Sequence, residues 1–163
     1  MEALNQTKNI HVIGGGLAGC EAAWRLARAG LRCTLHEMRP LKSTEAHQTD
    51  RLAELVCSNS LKSDSENTAS WLLKQELRRL GSLSMEAAER ARVPGGHALT
   101  VDRDVFAQEI TRAIEDEPLI EIRREEVKQI PAEGIIIVAS GPLTSGALAR
   151  SEEHTSELQS PNT

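Results

Sequence analysis

Gly14-x-Gly16-x-x-Gly19 stands between the short strand-like run His11-Val12-Ile13 and a helical stretch that begins at Leu17. Glycine turns are common, but one bracketed by a strand and a helix is the arrangement that binds a dinucleotide diphosphate. Gly14 permits the tight turn, Gly16 lets a pyrophosphate approach the backbone, and Gly19 lets helix and strand pack closely. Free N–H groups and the positive helix end then favour phosphate. Gly14, Gly15, Gly16, Leu17, Ala18 and Gly19 are therefore the candidate cofactor-binding backbone. Glu37 follows at the close of the second predicted strand, near the usual interval of about 20 residues. A carboxylate there accepts hydrogen bonds from ribose hydroxyls and repels a 2′-phosphate; the plainer reading is a solvated glutamate at a strand end.

Further along, Ile135-Ile-Ile-Val-Ala-Ser-Gly-Pro142 is an apolar strand that ends in a turn. It resembles the second signature of flavoproteins, usually an apolar strand followed by Ala-Thr-Gly, with Ser140 keeping the hydroxyl. Ala23 and Gly30 extend the first glycine pattern in the flavoprotein manner. Ser140 and Gly141 thus join the cofactor-binding candidates, and the two signatures in order point to FAD or NAD. Cys57 lies in Glu54-Leu-Val-Cys-Ser-Asn-Ser-Leu-Lys62, among polar residues. Such a thiol is either exposed and activated by nearby cations or helix ends, or buried and inert. Cys20 and Cys33 fall in the first helix and the second strand, where packing accounts for them. His11, His36, His47 and His97 show no ligand spacing, so no metal is expected.

These candidates need a scaffold of strand, glycine turn, helix and strand, a βαβ unit with a parallel sheet. Leu17–Ala29 reads as a helix with small apolar residues on one face, ended by Gly30. Leu31–Glu37 reads as the second strand. Leu41–Ser70 has no clean periodicity and reads as a long functional loop. Ser70–Leu80 reads as a helix with Leu73, Leu77 and Leu80 on one face, and Ser84–Arg92 as another. Val93–Gly96 is a turn. Asp102 or Asp104 caps a helix carrying Phe106, Ile110, Ala113 and Ile114. Asp102-Arg103-Asp104 is in this reading a helix start and not a catalytic pair. Leu119–Arg123 and Val127–Ile130 read as strands, and Ile135–Ala139 as an apolar run typical of a central parallel strand.

The 163 residues hold 39% hydrophobic and 26% charged residues, ordinary for one soluble domain. The net charge of −5 is no nucleic-acid footprint, although it averages over the surface. Two Trp, one Phe and no Tyr are few for a complete enzyme, which suggests a fragment. Three widely spaced Cys with no Cys-x-x-Cys pair suit a reducing, cytoplasmic setting. Met1–Asn9 is polar and reads as neither signal peptide nor membrane span. Residues 150–163 lack core periodicity and resemble the translation of a sequencing-library adaptor, so they are set apart as a non-native tail. Residues 1–149 are expected to form a partial α/β, Rossmann-like FAD-binding domain, incomplete at its C-terminal side, with unpaired strand edges.

Glu37-Met-Arg-Pro40, Ala46-His-Gln-Thr-Asp50, Glu54–Lys62, Gly95–Arg103 and Gly141-Pro-Leu-Thr-Ser145 follow the glycine loop in order. Together they resemble the folate- and FAD-dependent tRNA (uracil-5-)-methyltransferase family, TrmFO. The likeness runs from about His11 to Leu148, roughly the first third of that family's length. It implies that methylenetetrahydrofolate supplies a carbon, that FAD carries it and supplies electrons, and that NADH or NADPH re-reduces the flavin. It implies 5-methyluridine in the tRNA T-loop as product and Cys57 as the flavin-side catalytic cysteine. Most of the tRNA and folate surface would lie beyond Leu148, so the present chain alone is expected to be inactive. A generic FAD- or NAD-dependent oxidoreductase fragment without a nucleic-acid substrate is the alternative, and a truncated polypeptide that binds nothing is a third.

Overall fold

The computed structural model describes residues 9–151. Strand β1 (Ile10–Ile13) leads through the glycine turn into helix α1 (Leu17–Arg28), which returns the chain to strand β2 (Cys33–Glu37). Helix α1 buries Gly19, Cys20, Ala23 and Ala27. That face carries only small groups, so the helix lies close over the sheet. Gly30, at φ +76°, ends it and donates its N–H to Ala27 O at 2.9 Å, the left-handed stop that glycine provides at least cost.

A parallel sheet forms from β1, β2, strand β6 (Ile120–Arg124) and strand β7 (Ile135–Val138), in the order β6-β2-β1-β7. Ile13 pairs with both His36 and Val138, so the loops that leave β1, β2 and β7 emerge at one edge. Val12 and Leu35 are fully buried at the centre. Among the described residues β7 pairs with β1 alone. Its apolar run, typical of a strand covered on both sides, is half open: Ile135 and Val138 are 47% and 42% exposed.

Between β2 and β6 the chain builds a smaller layer that the sequence did not announce. Strand β3 (Ser60–Ser63) and strand β5 (Ala98–Val101) pair antiparallel, with strand β4 (Arg92–Val93) on the other side of β5. Strand β3 lies in the segment read as a loop, and β4 straddles the end of the expected helix Ser84–Arg92 and the expected turn; they are only two to four residues long, too short for a period-2 pattern. The expected strand Val127–Ile130 does not form. The chain bends after Arg124, Val127 faces a cleft, and the Ile130 N–H goes to Ser151 Oγ at 3.1 Å.

The helices of this layer are helix α2 (Ala69–Arg79), helix α3 (Leu83–Arg90) and helix α4 (Arg103–Glu115). Asp102, and not Asp104, caps α4, accepting from the N–H groups of Asp104 and Val105 at 2.9 and 3.0 Å. Phe106, Ile110 and Ile114 fill the core from α4. Helix α2 departs from expectation: Leu73 and Leu80 are exposed, Leu77 is partly buried, and Lys74 is the residue turned inward. Its ammonium donates to Leu61 O and Ser63 O at 3.0 and 2.7 Å. Leucine spacing cannot reveal a partner strand that is itself not legible. Of the segment set apart in the sequence, Arg150 and Ser151 continue a helix over 146–151, and 152–163 lie outside the described residues.

Glu21 joins the two layers. From α1 its carboxylate accepts from Leu83 N, Ser84 N, Ser82 Oγ and Ser84 Oγ, at 2.9–3.2 Å, at the start of α3. Those N–H groups have no partner within their own helix. Glu21→Ala should therefore lower the unfolding free energy by about 1–3 kcal/mol. A denaturation midpoint equal to that of the unaltered chain would refute this role.

Candidate functional site

The glycine turn is shaped by close contacts that only hydrogen permits. Gly14 sits at φ +109°, and a Cβ there would lie 2.7 Å from Ala139 O and from Ser140 Cα. The end of β7 is thus pressed against the loop, and Ser140 and Gly141 stand at the same edge of the sheet as Gly14. A Cβ on Gly19 would come within 1.8 Å of Gly14 O, which fixes glycine there by packing of helix on strand. Gly16 differs, since nothing lies within 4 Å of where its Cβ would be. It is also the N-cap of α1 and supplies no side-chain cap. Open space over an uncapped helix start is a cradle for an anionic group.

Glu37 and Arg39 close the base of this cradle, 5% and 2% exposed. Glu37 Oε2 accepts from Gly15 N at 3.0 Å and Arg39 Nη2 at 3.2 Å; its Oε1 accepts from Arg39 N and Arg39 Nε, each at 2.9 Å. Arg39 Nη1 reaches onward to Glu54 Oε2 at 3.0 Å and Thr49 O at 3.3 Å. Burial acts to raise the pKa of Glu37, and the hydrogen bonds from Arg39 and Gly15 outweigh it, so the carboxyl is held below its ordinary value. Glu54 is likewise held low: burial works against this, and hydrogen bonds from Gln48, Thr49 and the charge of Arg39 prevail.

A cleft of about 270 Å³ opens over these groups. Gly14–Ala18 line one side, Glu37, Arg39, His47 and Glu54 another, and Val127 with Ser140–Ser145 the third. His36 lines it as well. His36 Nδ1 meets Glu125 Oε1 at 2.9 Å, and its Nε2 meets His11 Nδ1 at 2.9 Å, so at least one ring nitrogen of the pair is unprotonated. Burial lowers the His36 pKa against the opposing pull of Glu125.

The loop, Glu37, Ser140 and Gly141 are brought together as the sequence implied. Cys57 is not in the cleft lining. It is exposed, one residue beyond Val56, which does line the cleft; Arg103 Nη2 donates to its carbonyl at 3.4 Å. Cys20 and Cys33 are buried, and burial pushes the Cys20 thiol up to about 12, which leaves it inert. Motif reasoning passed over Arg39 and Glu54 as individuals. The signal available was a cation two residues after the strand-end glutamate. Among the described residues no group of three or more His, Cys, Asp or Glu is placed to hold a metal, and no helix is long and apolar enough to cross a membrane.

The fit to a dinucleotide rests on the space over Gly16, the free first turn of α1 and the carboxylate at the end of β2. The family model described as "Glucose inhibited division protein A" matches residues 9–160. The methylenetetrahydrofolate–tRNA-(uracil-5-)-methyltransferase TrmFO of Solibacter usitatus is 72% identical over 143 residues, covering 88% of this chain and 32% of that protein. Its counterpart from Rhodopseudomonas palustris is 64% identical over 143 residues, covering 86% of this chain and 30% of that protein. The chain thus spans about a third of the length of these curated relatives. The solved structure of Aquifex aeolicus GidA superposes with a TM-score of 0.60 at 20% identity, over 77% of this chain and 20% of that one, a likeness of fold.

Two glycines separate folding from binding. Gly19→Ala should destabilise the chain by about 3 kcal/mol, the upper range for overpacking. Gly16→Ala should cost no more than about 1 kcal/mol as an altered N-cap, yet weaken nucleotide binding at least about tenfold. Thermal melts and ADP titration distinguish them, and equal melts for both variants would contradict the packing argument.

The lowered carboxyls also set an acid limit. The unfolded chain takes up protons first, so the stability from Glu37 and Glu54 is complete above their ordinary value, about pH 4.3. It is lost as pH falls through their lower folded values. Urea midpoints should hold steady from about pH 7 to about pH 5 and decline below that. A midpoint that rises on acidification would reverse the assignment.

Proposed function

The chain belongs to the glucose-inhibited division protein A family, and on that premise we propose that it is the FAD-binding part of a TrmFO-type tRNA (uracil-5-)-methyltransferase. The observation that carries this reading is its 72% and 64% identity to two TrmFO methyltransferases over a segment of 143 residues. The open cradle at Gly16 beside Glu37 is the physical reason a dinucleotide suits that segment. The generic oxidoreductase reading has no comparable support.

In this reading the loop Gly14, Gly15, Gly16, Leu17, Ala18 and Gly19 seats the FAD pyrophosphate: the N–H groups of Gly14 and Gly15 are spent on His36 O and Glu37, so the N–H groups at Gly16, Leu17 and Ala18 and the positive end of α1 meet the phosphates. Glu37 faces the ribose, and Ser140 and Gly141 close the cleft from the end of β7. FAD, when bound, supplies reducing electrons and the one-carbon carrier, with methylenetetrahydrofolate as carbon donor and NADH or NADPH as reductant. Cys57 is the proposed catalytic cysteine, and its exposure leaves the thiol free to meet a partner. The substrate is tRNA, gripped mainly by parts of the longer relatives that this chain does not span. We place its work in the cytoplasm, where tRNA is found and thiols stay reduced.

Joined to the remaining two thirds of the Solibacter usitatus relative, this chain should transfer labelled carbon from methylenetetrahydrofolate to tRNA. Cys57→Ala in that protein should reduce transfer by at least about 100-fold while leaving FAD bound. Full activity of that variant would remove Cys57 from the catalytic role. The chain by itself should quench flavin fluorescence saturably and transfer no carbon; absence of any saturable FAD binding would sink the cofactor reading.

A further inference from the structure

The acceptor positions of Glu37 are already filled. A carboxylate offers about four lone-pair sites, and Gly15 N, Arg39 N, Arg39 Nε and Arg39 Nη2 occupy them. A ribose hydroxyl that donates to Glu37 must displace one of these donors. The two backbone groups are fixed by the loop and by the end of β2. The Nη2 contact, at 3.2 Å, is the longest of the four and the one free to yield. A guanidinium buried as deeply as Arg39 cannot leave a donor unpaired without cost. Its other carboxylate, Glu54, is already 3.0 Å away.

Glu54 in turn holds the segment that carries Cys57. Its Oε1 accepts from Gln48 N at 2.9 Å, and its Oε2 from Thr49 N and Thr49 Oγ1 at 3.2 and 3.0 Å. The next residue, Leu55, is buried, Val56 lines the cleft, and Cys57 follows in the open. On the other flank Ala53, at φ +52°, donates its N–H to Gly15 O at 2.8 Å. The nucleotide loop and the Cys57 segment thus share two connections: Ala53 to Gly15, and Glu54 through Arg39 to Glu37.

We propose that Arg39 and Glu54 are positioning residues, and that a nucleotide on Glu37 shifts Arg39 toward Glu54 and so restrains the segment carrying Cys57. This rests on the dinucleotide reading of the cleft. Arg39 is shared between two carboxylates, so a donor that competes at one strengthens its hold on the other. The cysteine is then held in place when the cofactor is present and looser when it is not. Because coupling between sites is reciprocal, the fixed segment also favours the bound nucleotide.

Cys57 is the exposed thiol of the three cysteines, so its reaction with dithiobis(nitrobenzoate) reports on this segment alone. ADP is the probe, since it carries the ribose and diphosphate but no flavin ring to cover the thiol. Saturating ADP should slow the reaction about fivefold, the low end of ordinary coupling. In Glu54→Gln, ADP should still bind by calorimetry and the slowing should vanish. Arg39→Lys keeps the charge but loses the fork, and should abolish it too; it serves as the test if Glu54→Gln does not fold. ADP bound to the unaltered chain with no change in rate overturns the coupling and leaves the nucleotide site standing. Equal slowing in the unaltered chain and in the variants also overturns it. No ADP binding at all overturns both the site and the coupling.

Discussion

Arg39 lies inside the protein with its charge divided between Glu37 and Glu54, and the rest of the site depends on that division. An isolated guanidinium at such depth would be prohibitively costly to desolvate. Here its donors go to two carboxylates and a carbonyl, and the carboxylates are completed by backbone N–H groups. Three separate pieces of chain are held by this one group: the glycine turn through Gly15, the end of β2, and the 48–54 turn. Removing the guanidinium would leave two buried carboxylates facing each other, a worse state than losing the pair altogether.

The parallel sheet decides where this cluster can sit. β1, β2 and β7 run in the same direction, so the residues that follow each strand gather at one edge. The glycine turn, Arg39 and Ser140 meet there although they are far apart in sequence. The turn itself is a matter of clearance. Gly19 must lack a side chain because α1 presses on Gly14, whereas Gly16 lacks one over open space. The first requirement belongs to folding, and packing imposes none at the second. The small antiparallel layer adds the counterweight: Glu21 on α1 holds the start of α3, and Lys74 on α2 holds the Leu61 and Ser63 carbonyls of β3.

Strong local patterns made the first βαβ unit legible. Gly14, Gly16 and Gly19 at fixed spacing, small apolar residues along α1 and Gly30 at its end all act within a few residues of one another. The same holds for the apolar run of β7 and for a cap at Asp102 or Asp104, of which the structure uses Asp102. The three-stranded layer left no such trace, because strands of two to four residues carry no readable alternation and owe their existence to partners across the chain. Val127–Ile130 shows the converse: a strand-like composition with no strand among the described residues paired to it, where the chain bends and the Ile130 N–H bonds to Ser151.

The sequence alone carried a glycine turn between a strand and a helix, and marked Glu37, Cys57 and Ser140 as candidate groups. These are properties of residue type and short spacing. Tertiary structure alone decided that Glu37 is bound to a buried Arg39, that Glu54 completes the pair, and that Cys57 is exposed beside the cleft and not within it. Charge neutralisation in the interior depends on which distant groups are brought within about 3 Å. That distance is set by how sheet, helices and loop pack together, which no local pattern encodes.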